Sequence, residues 1–389
     1  MHAALRFLQA SSRRAYLVAA GAVMTLALLL SVPALVTPAT GQGTPGPVPY
    51  IDLWGPTGAP DRVVLTPTDD PARSQAVTWR TSTDVLTPVA QIAPIEGGPG
   101  FKNYGNRSGR NEVVTVSGTT TGDVDETLHY PMRFHTAVFE GLEPDTTYLY
   151  RVGDGSGHNR TNWSEWYEFT TATDGPSDFS FIYYGDAQND IKEHASRVFR
   201  KAFAQRPDAE LILHAGDLVD IGNRDYEWGE WFHANGFPIG QINQIASPGN
   251  HEYSIQQGAP GLNAYWDTQF NFPDNGPKAP ADTEFPLVYE ALNRGNVHYV
   301  DYQGVRFISL DSNGSAVPSG AQRQAWFDIQ AEWLDEVLKS NPNKWTVVYH
   351  HHPIFSVSSG RNNAQVRDAW LPVIEANDVD LVLAGHDHN

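Results

Sequence analysis

The chain has 389 residues, and its 45 acidic side chains against 26 lysines and arginines give a formal charge of −19; it contains no cysteine. That balance repels nucleic acid and anionic lipid, so no nucleic-acid binding surface is expected. The missing thiols exclude disulfides, thiolate metal sites and cysteine nucleophiles together, while the length allows two domains with cores of their own.

The N-terminus reads as a targeting segment. Arg6, Arg13 and Arg14 precede an apolar stretch over residues 15–36, and small residues around position 39 offer a cleavage site. Residues 1–39 are therefore expected to be an export signal, and Ser12-Arg13-Arg14-Ala15-Tyr16-Leu17 resembles the twin-arginine type. An ordinary secretory signal, or an uncleaved anchor just long enough to span a bilayer, fits the same stretch. Cleavage removes three arginines and takes the charge from −19 to −22, leaving an exported protein (secreted, periplasmic or at the cell surface) without a stable membrane span. Residues 40–49 read as a flexible Gly/Pro/Thr linker.

Residues 50–172 are β-rich, with turn residues between runs and no helical period. Residues 75–80 alternate, and 136–140 and 147–152 flank the turn-prone Gly141-Leu142-Glu143-Pro144-Asp145. Residues 163–171 give a closing strand. Trp79, Tyr150 and Trp166 are expected in the core, because large aromatics dominate burial. Residues 97–128, rich in Gly, Thr and Asn, read as a long excursion that either overhangs a functional site or is simply solvated. After a linker at 173–178, strands and helices alternate: a strand at 179–184, a helix at 191–204, a strand at 210–215, an amphipathic helix at 323–340 and a strand from Trp345. That alternation implies an α/β layer.

Five polar segments follow in order: Gly185-Asp186-Ala187-Gln188, Gly216-Asp217-Leu218-Val219-Asp220, Gly249-Asn250-His251-Glu252, His350-His351-His352-Pro353 and Gly385-His386-Asp387-His388. Four of them come directly after apolar β-rich runs, which puts carboxylates, an amide and imidazoles on loops at strand ends. Asp, Asn and His together suit Zn, Mn or Fe. Single histidines are usually not ligands, but the ordered combination outlines a metal site. No Gly-x-Ser-x-Gly elbow supports a serine nucleophile.

These segments resemble the motif series of the calcineurin-like metallophosphoesterases. Upstream, His135-Thr136-Ala137-Val138-Phe139-Glu140-Gly141-Leu142-Glu143-Pro144 with Tyr148-Leu149-Tyr150-Arg151-Val152-Gly153-Asp154 resembles the N-terminal domain of purple acid phosphatases. The likeness runs over about residues 60–389. It implies an all-β sandwich, fibronectin type III-like, at 50–172. Residues 179–389 would then form an α/β phosphoesterase domain of two mixed sheets flanked by helices. In the family further strands follow the Gly-His-x-His loop, so that domain is expected to be C-terminally incomplete.

The resemblance also implies roles. Asp186 and His388 would hold a first metal, Asn250, His351 and His386 a second, and Asp217 would bridge both. The pair would be divalent or mixed-valence ions of Fe, Zn or Mn. His350 is expected on the far side of the strand end and His352 at a non-ligand position. Gln188, where relatives have His or Gly, would be a ligand, a holder of metal-bound water, or a residue behind the ligands. His251 would stand beside the substrate as general acid, with a strand-end structural role as the alternative. Asn250 would also face substrate, and Glu252 would orient His251 or nearby backbone. Arg361 and Asn362 would reach substrate oxygens or lie solvated.

One departure weighs on the metal. Purple enzymes place a tyrosine ligand to Fe(III) where this chain has Asp220, so the colour should be absent. The function implied is that of an exported binuclear hydrolase that cleaves phosphoric esters by in-line attack of metal-bound hydroxide. Small phosphomonoesters, as for an acid phosphatase, are the first expectation. A phosphodiesterase or nucleotide-directed enzyme is the alternative, and a surface binding protein with a decayed hydrolase domain is the alternative from another class. Oligomeric state is not legible.

Overall fold

Alternating apolar residues turn the N-terminal part into two four-stranded antiparallel sheets. The first orders Asp61–Thr66, Ser74–Thr81, Met132–Glu140 and Thr119–Val124. In the second, Val114–Ser117, Val89–Pro94, Thr147–Gly153 and Tyr167–Thr170 lie side by side. The computed structural model describes residues 49–95, 113–124, 131–155, 162–256, 259–317 and 320–388. The export signal and nearly all of the linker fall outside these residues. Among them no helix is long and apolar enough to cross a membrane.

Val63, Leu65, Val77, Trp79, Phe139 and Tyr150 fill the space between the sheets. The other face of the first sheet is covered too: Val64, Met132 and Phe134 join Trp228, Trp231 and Tyr265 of the C-terminal part. Strand Ser74–Thr81 is therefore buried along nearly its whole length, and its polar residues on the covered face need partners. Buried Arg80 reaches Asp61 at 2.6 Å and buried Asp225 at 3.3 Å, while Arg62 reaches Asp225 at 2.7 Å.

Two sequence expectations change here. Residues 113–124 are not an excursion, because they supply one edge strand to each sheet; their Thr-rich, mostly exposed pattern hides the strand signal, since an edge strand outside the core needs little apolar alternation. Residues 96–112 and 125–130 lie outside the described residues. Trp166 is only half buried, packing beside Ala93 and Leu149 with the Arg151 guanidinium 4.7 Å from its ring centre. Trp79 and Tyr150 are fully buried. The Gly141–Asp145 link closes no hairpin, since the strands before and after it belong to different sheets.

In the C-terminal part, parallel strands Phe181–Tyr184, Leu211–Ala215 and Asn243–Ser247 form one sheet with Leu211–Ala215 in the middle. The second sheet runs His298–Tyr302, Val305–Ser309, Trp345–His350 and Leu381–Ala384, antiparallel at the first pair and parallel after it. Leu211, Leu213, Ile245, Val300, Phe307 and Val347 pack the sheets face to face. Helices Ser196–Gln205 and Asp225–Asn235 cover one outer face, and Gly320–Lys339 and Ala364–Ala376 cover the other. The pairings His214 with Tyr184, Ala215 with Ser247, and His350 with Ala384 level the strand ends. Five loops thereby open from the same rim, where open α/β sheets place their ligands.

The core carries its own acid sensitivity. Burial pushes His214 down to about 4 and His298 down to about 3, so both fold neutral. Between the ordinary histidine value near 6.5 and these lowered values the unfolded chain binds more protons, so stability falls as the pH drops through that window. Each such histidine adds about 1.4 kcal/mol per pH unit to the slope. Urea unfolding at pH 7, 6 and 5 should show the loss, and His298→Gln should make the slope shallower by the share of one histidine, about 1.4 kcal/mol per pH unit; an unchanged slope would mean His298 folds protonated.

Candidate metal centre

The loop after Tyr184 carries Asp186, and the loop after Ala215 carries Asp217. Both have left-handed backbone, φ +49° and +52°, as does His386 at +71°. Residues with a Cβ rarely adopt this region, and they keep it only where the surroundings fix it. Here the fixing groups are visible. His386 N–H donates to both Asp186 oxygens at 2.8 and 2.9 Å. The buried Glu252 carboxylate accepts from the N–H groups of Asp217, Leu218 and Gly249 at 2.9, 2.8 and 2.7 Å. Glu252 thus orients backbone rather than the His251 ring. Burial, joined by the charge of Asp217, pushes it up to about 7.

Glycine is needed where the loops touch. A Cβ on Gly249 would stand 2.1 Å from Asp217 Oδ1, and one on Gly216, itself at φ +85°, would stand 2.7 Å from His351 Nδ1.

His351 is the hub of the cluster. Its Nδ1 is fixed on the Ala215 carbonyl at 2.9 Å, which leaves Nε2 facing Asp217 Oδ2 at 3.0 Å, Asn250 Oδ1 at 3.1 Å and His386 Nδ1 at 3.1 Å. One proton cannot serve three acceptors, whereas a cation can be shared by all four atoms. Donor atoms of Asp186, Asp217 and His351 lie within 4.8 Å of one another, and so do those of His351, His352 and His386. His388 Nε2 lies 3.4 Å from Asp186 Oδ1. Gln188 Nε2 lies 3.0 Å from His388 Nε2, and its buried Oε1 has no hydrogen-bond partner. The donor set and this orphaned acceptor fit metal ions.

The electrostatics favour neutral His352 and His386, whereas at His351 burial is outweighed by the hydrogen bond and charge of Asp217, which raise the pKa. Burial works against ionisation of Asp217, but the hydrogen bond and charge of His351 outweigh it and keep its pKa below the usual range. Burial raises Asp186, with His351 opposing and Asp217 adding to the rise. His352 is lowered to about 2 by burial and then by the charges of His351 and His386. Burial, then His351 and Arg361, lower His386 to about 4. Neutral imidazole is the form that binds metal.

The remaining sequence-derived residues fall around this cluster. His251 is partly exposed; its N–H donates to Asp217 Oδ1 at 2.9 Å, and its Nε2 lies 3.9 Å from Asp217 Oδ2. Its Nδ1 is held by the Asp220 carbonyl at 2.5 Å, with the Asp220 carboxylate at 3.3 Å. Arg361 donates to Asp387 at 2.9 Å and to the His386 carbonyl, and Asn362 accepts from Arg367 at 3.1 Å. His350 is buried against Trp370 on the other side of the strand end. His352, expected at a non-ligand position, stands inside the imidazole cluster with Nδ1 on Ser312 Oγ at 2.9 Å. Sequence reasoning gave Asp387 no role, although the structure ties it to three partners.

Comparison with known proteins places this arrangement. The model of the purple acid phosphatase N-terminal domain matches residues 60–171, and that of the calcineurin-like phosphoesterases matches residues 179–389. The chain belongs to the calcineurin-like phosphoesterases, in the purple acid phosphatase-like branch. An uncharacterised Mycobacterium tuberculosis protein is 26% identical over 334 residues, covering 80% of this chain and 58% of that one. Purple acid phosphatase 3 of Arabidopsis thaliana is 30% identical over 103 residues, 26% of this chain and 24% of that protein. The chain thus spans less than two thirds of the length of these relatives. Among solved structures, a purple acid phosphatase from yellow lupin seeds matches with a TM-score of 0.64 at 18% identity, covering 85% of this chain and 59% of that one. That likeness concerns the fold.

Proposed function

We infer that this chain is an exported metal-dependent phosphoesterase, acting on small phosphomonoesters at a centre of two divalent or mixed-valence ions of Fe, Zn or Mn. In this reading residues 50–172 are a fibronectin type III-like domain and residues 179–389 the catalytic domain. The observation that carries it is the convergence of Asp217, Asn250 and His386 on His351 Nε2, beside a second set of Asp186, Gln188 and His388. When bound, a metal pair supplies the charge that shields phosphoryl oxygens and the acidification that brings water to a pKa near ~7.

The chain's own residues do the rest. Asp217 stands between the two sets as the shared carboxylate. Asn250 ties the loop carrying His251 to the ligands. Asp220 fixes His251 through Nδ1 and so turns Nε2 toward the centre, where it can pass a proton to the leaving oxygen. Elemental analysis of purified protein, with hydrolysis of an aryl phosphate and of its diester, tests the reading. Metal-free, inactive protein would support the decayed surface protein, and a preference for the diester the phosphodiesterase alternative.

Asp220 also predicts colour. No phenolate stands where the purple enzymes bind Fe(III), and Tyr184 packs on Phe199 and His214. Tyr183 is closer to the centre, but burial and then the charge of Asp186 raise its pKa, and its hydroxyl donates to the Ala384 carbonyl. The protein should stay colourless after exposure to iron and air. A strong visible charge-transfer band would mean that Tyr183 ionises and turns to the metal.

A further inference from the structure

Asp387 separates two candidate ligands, His386 and His388, and the chemistry above gives it no task. Its carboxylate nonetheless accepts from Ser356 Oγ at 2.8 and 3.0 Å, from Val357 N–H at 2.8 Å and from Arg361 Nη1 at 2.9 Å. The same guanidinium donates to the His386 carbonyl. All three donors belong to the loop that follows His351 and Pro353, whereas Asp387 lies on the loop after strand Leu381–Ala384. Its side chain therefore ties one ligand-bearing loop to the other.

His386 needs such a tie. Its left-handed φ of +71° is a conformation that a residue with a Cβ holds only under constraint. Asp186 constrains it from the N–H side. On the carbonyl side the constraint comes from Arg361, itself anchored by Asp387.

We propose that Asp387 is a positioning residue for the metal centre, setting how His386 and His388 face His351 and Asp186 without touching ion or substrate. This rests on the metal-centre reading. The charge and both oxygens matter, because an amide in the same place keeps one acceptor and turns an N–H₂ group toward donors.

The test uses the full chain loaded with Co(II), whose visible bands report ligand geometry, and challenges it with a graded chelator. Asp387→Asn should release Co(II) at roughly 10- to 100-fold lower chelator, the usual effect of losing a partner behind metal ligands. Its bands should also shift, while its melting temperature in excess chelator stays that of the unmodified protein. A lowered melting temperature with an unchanged release curve and unchanged bands would make Asp387 merely structural and overturn the proposal. If Asp387→Asn does not fold, Ser356→Ala and Arg361→Gln each remove a donor and should shift release in the same direction by less; unshifted curves overturn it equally. Unmodified protein that develops no Co(II) band would defeat the metal-centre reading itself, and this inference with it.

Discussion

Replacing Asp217 with Asn should abolish turnover and strip bound metal. Asp217 is almost wholly buried, with Oδ2 at 3.0 Å from His351 Nε2 and Oδ1 holding the His251 N–H. The amide keeps the shape but removes the charge that the binuclear reading shares between two metals, and it leaves one neutral oxygen in place of two anionic ones. Loss of the Lewis acid contribution, several kcal/mol, corresponds to at least ~10³-fold in rate. The substitution is otherwise mild. Asn tolerates the left-handed backbone found at this position, and Glu252 still gathers the N–H groups of residues 217, 218 and 249. Metal counts by elemental analysis, beside rates on an aryl phosphate, check it. Full activity with two metals retained would end the assignment of Asp217 as the bridge.

The candidate centre was legible in the sequence because four of the five motifs directly follow an apolar strand, and parallel strands in register deliver their ends to one rim. Asp186, Asp217, Asn250, His351, His386 and His388 needed only that geometry to meet. Asp387 was not legible for the converse reason: its partners Ser356, Val357 and Arg361 lie 31, 30 and 26 residues away, on a loop whose path no local pattern announces. His352, which the family resemblance puts at a non-ligand position, lies beside the His351 and His386 rings with its Nδ1 on Ser312, 40 residues earlier, a contact that no local pattern announces. The same limit applies to the fold. Strand Ser74–Thr81 alternates as if one face were solvated, yet its second face is covered by aromatic residues of the C-terminal part, and only tertiary packing makes Arg80 a buried residue held by Asp61 and Asp225.

His251→Ala should separate proton transfer from metal binding. The backbone N–H of residue 251 holds Asp217 Oδ1 at 2.9 Å, and its carbonyl accepts from the Gly222 N–H at 2.9 Å. Alanine keeps both contacts, so the ligand loops have no reason to move and two metals should remain. What disappears is the ring whose Nδ1 is fixed by Asp220. If Nε2 protonates the leaving oxygen, turnover should fall by ~10²–10⁴-fold for alkyl phosphates. The loss should be much smaller for aryl phosphates with strongly acidic phenols, which depart without a proton. A structural histidine would instead cost every substrate alike. Rates across a series of leaving groups therefore decide the matter: a loss independent of leaving-group pKa removes His251 as the acid, and a loss of metal makes it part of the ligand framework.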